Sequence, residues 1–94
     1  MSLDAVRAEI TKVDTRIIRL IAERQQLAGE IARIKISEGL AIHDQERTAQ
    51  VLNAVFEQSV EARIDPVAVQ KIFEMLIAMS EDRQRECSGD GNLP

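Results

Sequence analysis

The stretch Leu3–Lys35, LDAVRAEITKVDTRIIRLIAERQQLAGEIARIK, decides the fold of this chain. Leu3, Val6, Ile10, Val13, Ile17 and Leu20, then Leu27, Ile31 and Ile34, recur at spacings of three and four. That rhythm is the apolar seam of a long helix. Ser2 or Asp4 can cap its start, and Gly39 marks its end, where a left-handed residue is wanted. From about Ser2 to Ser37 the helix is roughly 50 Å long at 1.5 Å per residue. A compact chain of 94 residues has a radius of gyration of only about 12 Å. The helix overshoots its own domain, so its seam needs cover from a second chain, and a homodimer is expected.

The rest of the chain is also helical in pattern. After a short connection, Glu38 to His43, Asp44 can cap a second helix with Val51, Leu52, Val55 and Phe56 on its apolar face. Asp65-Pro66 is a clear start signal, an N-cap acid followed by proline at the first helical position. The third helix carries Val69, Ile72, Phe73, Leu76, Ile77 and Met79 and runs to about Glu86. Residues 1–86 are read as one all-α domain. The polar, glycine-containing tail 87–94, CSGDGNLP, is expected to be disordered.

Composition narrows the function classes. Only two residues are aromatic, Phe56 and Phe73, so the core is aliphatic. The 30% charged content and the lack of an apolar run near ~20 residues give no sign of a membrane span, and the expected setting is cytoplasmic. The net charge of -4 argues against a nucleic-acid partner. One cysteine, Cys87, and one histidine, His43, stand too far apart in the chain to suggest a metal site.

The informative residues are polar ones in apolar places. Arg24 interrupts the seam between Leu20 and Leu27. It reads either as a buried ion pair or a snorkelling arginine, or as part of an anion site. Lys35 lies three turns further on nearly the same face, roughly 16 Å along the axis. Alone it reads as a solvated lysine near a helix C-terminus; with Arg24 it can bracket one small anion. Arg7, roughly 25 Å before Arg24, serves that ligand only from a partner helix. On helix 3, Ser80 and Gln84 continue the stripe of Phe73 and Leu76, through fraying or because they line a site. Asp44 and Arg47 fit a cap and a local ion pair. Together these describe a pocket of fixed positive charge and neutral donors, with no nucleophile–base pair.

The same positions carry a family resemblance. The segment IxxVDxxIIxLIAERxxLAxEIAxIK (Ile10 to Lys35), then IHDQER (Ile42 to Arg47), then Ser80 with Gln84, resembles the all-helical chorismate mutases over about residues 3–86. The resemblance implies a three-helix protomer in an intertwined antiparallel homodimer. It implies rearrangement of chorismate to prephenate in aromatic amino acid biosynthesis, with no cofactor. By position, Arg24 and Lys35 would hold substrate carboxylates, and Arg7 would reach in from the partner subunit. Lys35 and Gln84 would donate to the ether oxygen. Asp44 would act near the ring hydroxyl, and Arg47 and Ser80 would complete the pocket. Thr48 departs from the pattern, because many members carry there a glutamate that bonds the hydroxyl. That departure keeps an isochorismate-pyruvate lyase and a 4-amino-4-deoxychorismate mutase as alternatives. A helical dimerisation or metabolite-binding module is the non-enzyme alternative.

Overall fold

The computed structural model describes residues 1–88, which form three helices: α1 (Leu3–Glu38), α2 (Gln45–Glu61) and α3 (Pro66–Cys87). The expected all-α architecture is observed. The expectation of a disordered tail falls, from residue 89 on, outside the described residues.

Each boundary has a local chemical cause. Ser2, not Asp4, caps α1: its Oγ accepts the Ala5 N–H at 3.1 Å. Gly39 ends α1 at φ +68°, with the Gly39 N–H bonded to Ile36 O and the Leu40 N–H to Lys35 O. These two bonds close the helix end in the Schellman manner, which needs the left-handed residue glycine supplies without strain. Asp44 Oδ1 caps α2 through the Arg47 N–H at 3.0 Å, and Asp65 Oδ1 caps α3 through the Val67 N–H at 3.0 Å. The α2–α3 turn repeats the α1 ending, with Arg63 N–H to Val60 O and Ile64 N–H to Ser59 O. Here the left-handed position holds Arg63, at φ +60°, a conformation that costs a side-chain-bearing residue about 1 kcal/mol.

α3 is the central element, packed against both α1 and α2, while the backbones of α1 and α2 do not come close to each other. The crossing of α1 by α3 falls on small residues: Ala28, Gly29 and Ala32 are the buried positions of α1. A Cβ on Gly29 would lie 3.4 Å from Cys87 Sγ, so α3 approaches α1 closely there. Val55 and Ser59 are the buried residues of α2, and Gln84 is that of α3.

This core is thin for the apolar content. Val6, Ile10, Val13, Ile17 and Leu20 remain 39–62% exposed in the single protomer. The longest dimension is 54 Å and the radius of gyration 16.6 Å, against about 12 Å for a compact chain of this length. The N-terminal half of α1 therefore projects from the α2–α3 body with its seam uncovered. Among the described residues no helix is long and apolar enough to cross a membrane.

Candidate active site

Since the backbones of α1 and α2 are held apart by α3, a cleft remains between them with α3 as its floor. Its volume is about 290 Å³. Arg24 and Lys35 reach it from α1, Asp44, Arg47 and Thr48 from the start of α2, and Ser80, Glu81 and Gln84 from α3. Seven of the eight residues singled out in the sequence thus converge on one cleft. Arg7 does not: it is exposed on the projecting half of α1, away from the lining.

Arg24 is half-buried and makes no ion pair among the described residues. Its Nη1 donates to Ser80 Oγ at 2.8 Å and to Leu76 O at 3.2 Å, and its guanidinium lies 5.9 Å from the Phe73 ring centroid. The buried ion pair considered from the sequence is replaced by neutral acceptors and an aromatic face. They orient the guanidinium without cancelling its charge, and its other N–H groups stay available to a ligand.

Lys35 is likewise not a solvated terminal lysine. Its Nζ donates to Ile42 O at 2.5 Å and to Gln84 Oε1 at 2.9 Å. An ammonium has three donors, so one is left for a ligand. Gln84 is 6% exposed, which rules out fraying as the reason for a polar residue there. Lys35 can only donate, so it fixes the amide with Oε1 toward itself, and Gln84 Nε2 is left as a donor. Asp44 acts as the cap described above rather than as an ion-pair partner of Arg47. Arg47 is exposed at the rim, with no carboxylate in ion-pair range among the described residues.

The sequence reading missed the apolar wall. Leu27, Ala28, Ile31, Ile42, Val51 and Ile77 give the cleft an apolar lining between its charged ends. Ile77 shares its face with Ser80, Glu81 and Gln84 by the i, i+3, i+4 and i+7 rule, a signal present in the sequence. Glu81 was also missed, together with its 2.5 Å contact to His43 in the α1–α2 connection. No group of three or more potential ligands suited to a metal occurs among the described residues.

A cationic, half-apolar cleft on a three-helix frame has a counterpart among known families. The family model for chorismate mutase type II matches residues 6–85, which span all three helices and every residue of the cleft. The chain belongs to the chorismate mutase type II family. A chorismate mutase of Methanocaldococcus jannaschii is 33% identical over 84 residues, covering 89% of this chain and 85% of that one. The bifunctional chorismate mutase/prephenate dehydratase of Buchnera aphidicola is 31% identical over 85 residues, but this chain spans only 22% of that enzyme's length. A solved structure of a conserved hypothetical protein from Pyrococcus furiosus matches with a TM-score of 0.70 and 32% identity, over 88% of this chain and 95% of that one. These relatives give no support to the isochorismate or amino-substrate alternatives.

Proposed function

We propose that this chain is a chorismate mutase that converts chorismate to prephenate by an intramolecular Claisen rearrangement. The observation that carries this reading is the hydrogen bond from Lys35 to the buried Gln84, with Arg24 oriented by neutral partners in the same cleft. Family membership and the M. jannaschii relative point to the same reaction.

The chemistry follows from the residues. In the transition state the ether C–O bond is breaking and negative charge grows on that oxygen. The remaining N–H of Lys35 and the Nε2 of Gln84 are the donors assigned to it. Donors already fixed in place interact more strongly with the developing charge than with the neutral ether, so they lower the barrier rather than merely tighten binding. Arg24 takes one substrate carboxylate, and the Lys35 charge attracts the dianion without a further hydrogen bond of its own. Arg47, at the rim, serves the second. Clamping both ends holds the enolpyruvyl arm over the ring, and the apolar wall favours the compact conformer in which the reacting carbons approach. Ser80 keeps Arg24 in register, and Asp44 and Thr48 stand toward the ring. Bonds break and form within one molecule, so no general base, nucleophile or cofactor is required.

The functional unit in this reading is an antiparallel homodimer. Its support is the exposed seam on a helix that overshoots the domain. An antiparallel partner α1 covers that seam and carries its Arg7 to the Arg24 end of the cleft, where Arg7 engages a substrate carboxylate. No nucleic acid or membrane partner is proposed, and the 30% charged composition supports a cytoplasmic place of action.

Loss of chorismate absorbance with the purified protein, with prephenate identified as product, tests the reaction directly. Turnover of isochorismate or of the amino analogue in large preference to chorismate would displace it.

A further inference from the structure

Glu81 is out of keeping with the cleft it lines. Arg24, Lys35 and Arg47 make the lining cationic, as capture of a dianion requires. Yet Glu81 contributes a carboxylate from α3, with its side chain only 20% exposed. An ionised carboxylate here repels both substrate carboxylates, so its presence needs a reason.

The hydrogen-bond inventory of the cleft supplies one. Arg24, Lys35 and Arg47 can only donate. Gln84 Oε1 is taken by Lys35, Ser80 Oγ accepts from Arg24, and Asp44 Oδ1 accepts the Arg47 N–H. The side-chain acceptors of the lining that no donor yet engages are Asp44 Oδ2, Thr48 Oγ1 and Glu81 Oε2. Asp44 is exposed at a helix N-terminus, and Thr48 has a short side chain. Glu81 alone is held from another segment: His43 Nδ1 lies 2.5 Å from its Oε1, and because an ionised carboxylate can only accept, the ring N–H donates. Glu81 Oε2 has no protein partner among the described residues. An acceptor pinned at one oxygen and free at the other is preorganised for a single O–H.

We propose that Glu81, oriented by His43, accepts the hydrogen bond of the substrate's ring hydroxyl and sets the preference for a ring that carries it. Glu81 is a specificity-determining residue and His43 a positioning residue. This assignment rests on the reading of chorismate as substrate.

The test compares kcat/KM for the wild type, Glu81→Ala, Glu81→Gln, His43→Ala and Thr48→Ala. Each is measured on chorismate and on its analogue with the ring hydroxyl replaced by hydrogen. Losing a hydrogen bond to a charged group lowers kcat/KM roughly 10- to 100-fold, so Glu81→Ala falls by that factor on chorismate and changes little on the analogue. Glu81→Gln keeps an acceptor oxygen and falls less. His43→Ala falls a few-fold, again on chorismate alone. Alanine and glutamine are good helix formers, so the Glu81 variants keep α3, and circular dichroism checks the helix content of all four variants.

Equal losses on both compounds would make the role merely structural. A gain on chorismate would make Glu81 an electrostatic burden. A hydroxyl-specific loss at Thr48→Ala with none at Glu81→Ala would give the contact to Thr48. Each of these overturns the assignment while the reading of the reaction stands. A wild type that turns over neither compound overturns both, and the assay shows this before any variant is compared.

Discussion

Lys35 Nζ donates to Gln84 Oε1 at 2.9 Å across the cleft, joining residues 49 apart in sequence on α1 and α3. The ammonium settles which way the amide faces, because it can only donate. The donor left at Nε2 is therefore held before any substrate arrives. Replacing that amide by a carboxyl group separates donor from charge. Gln84→Glu, ionised beside Lys35, offers no proton to the ether oxygen and lowers kcat at pH 7 by roughly 10²–10³-fold, as for removal of one oxyanion donor. The Lys35 charge holds the new carboxyl's pKa down, so the protonated, donating form appears only in acid. Activity of this variant should rise as pH falls, measured as kcat against pH beside the wild type. A flat profile would remove Gln84 from the ether oxygen.

Arg24→Ala removes the guanidinium but leaves the apolar seam intact. We expect kcat/KM to fall by roughly 10²–10³-fold, while sedimentation shows the same assembly as the wild type. Near-normal turnover would sink the role given to Arg24. Arg24→Lys should not rescue: an ammonium lacks the planar fork that reaches Ser80, Leu76 O and a ligand together.

The cross-subunit role of Arg7 makes a prediction about mixing. Arg7→Ala and Lys35→Ala homodimers should each be nearly inactive. In a heterodimer of the two, one site has both residues and the other has neither. Random equimolar reassortment therefore restores about a quarter of wild-type activity, from symmetry alone. If mixing restores nothing, each site is built within one chain. Ile17→Glu, on the exposed seam, should yield monomers in sedimentation, through a charge left in the covered seam.

Arg63 offers a stability test independent of the site. It holds the left-handed position that ends α2, at φ +60°, where glycine carries no steric cost. Arg63→Gly should stabilise the fold by about 0.5–1 kcal/mol, the steric relief being partly offset by the greater freedom of an unfolded glycine. Urea denaturation at fixed protein concentration reads this as a raised midpoint with an unchanged slope. A lowered midpoint would mean that the Arg63 side chain contributes more than its backbone conformation costs.

Much of this molecule is written locally. The seam of α1, the Ser2 and Asp65 caps, Pro66 and Gly39 fix three helices because each acts within a turn of the chain, where spacing alone decides contact. Arg24, Lys35, Ser80 and Gln84 were visible as site candidates for a related reason. A charge or amide on an apolar stripe is costly unless something uses it, and the stripe itself is periodic. The sequence also showed that α1 is too long for one small domain.

What the polar groups bond to was decided only by tertiary structure. Arg24 reads equally well as one half of an ion pair until α3 is laid over Ala28, Gly29 and Ala32, which brings Ser80 and Leu76 O beside it. Nothing in the sequence sets Glu81 apart until the α1–α2 connection carries His43 to it from 38 residues away. Caps and periodicities are set by neighbours in sequence. The partners of a buried donor or acceptor depend on which helices cross, and that crossing is chosen by small residues packing across the chain.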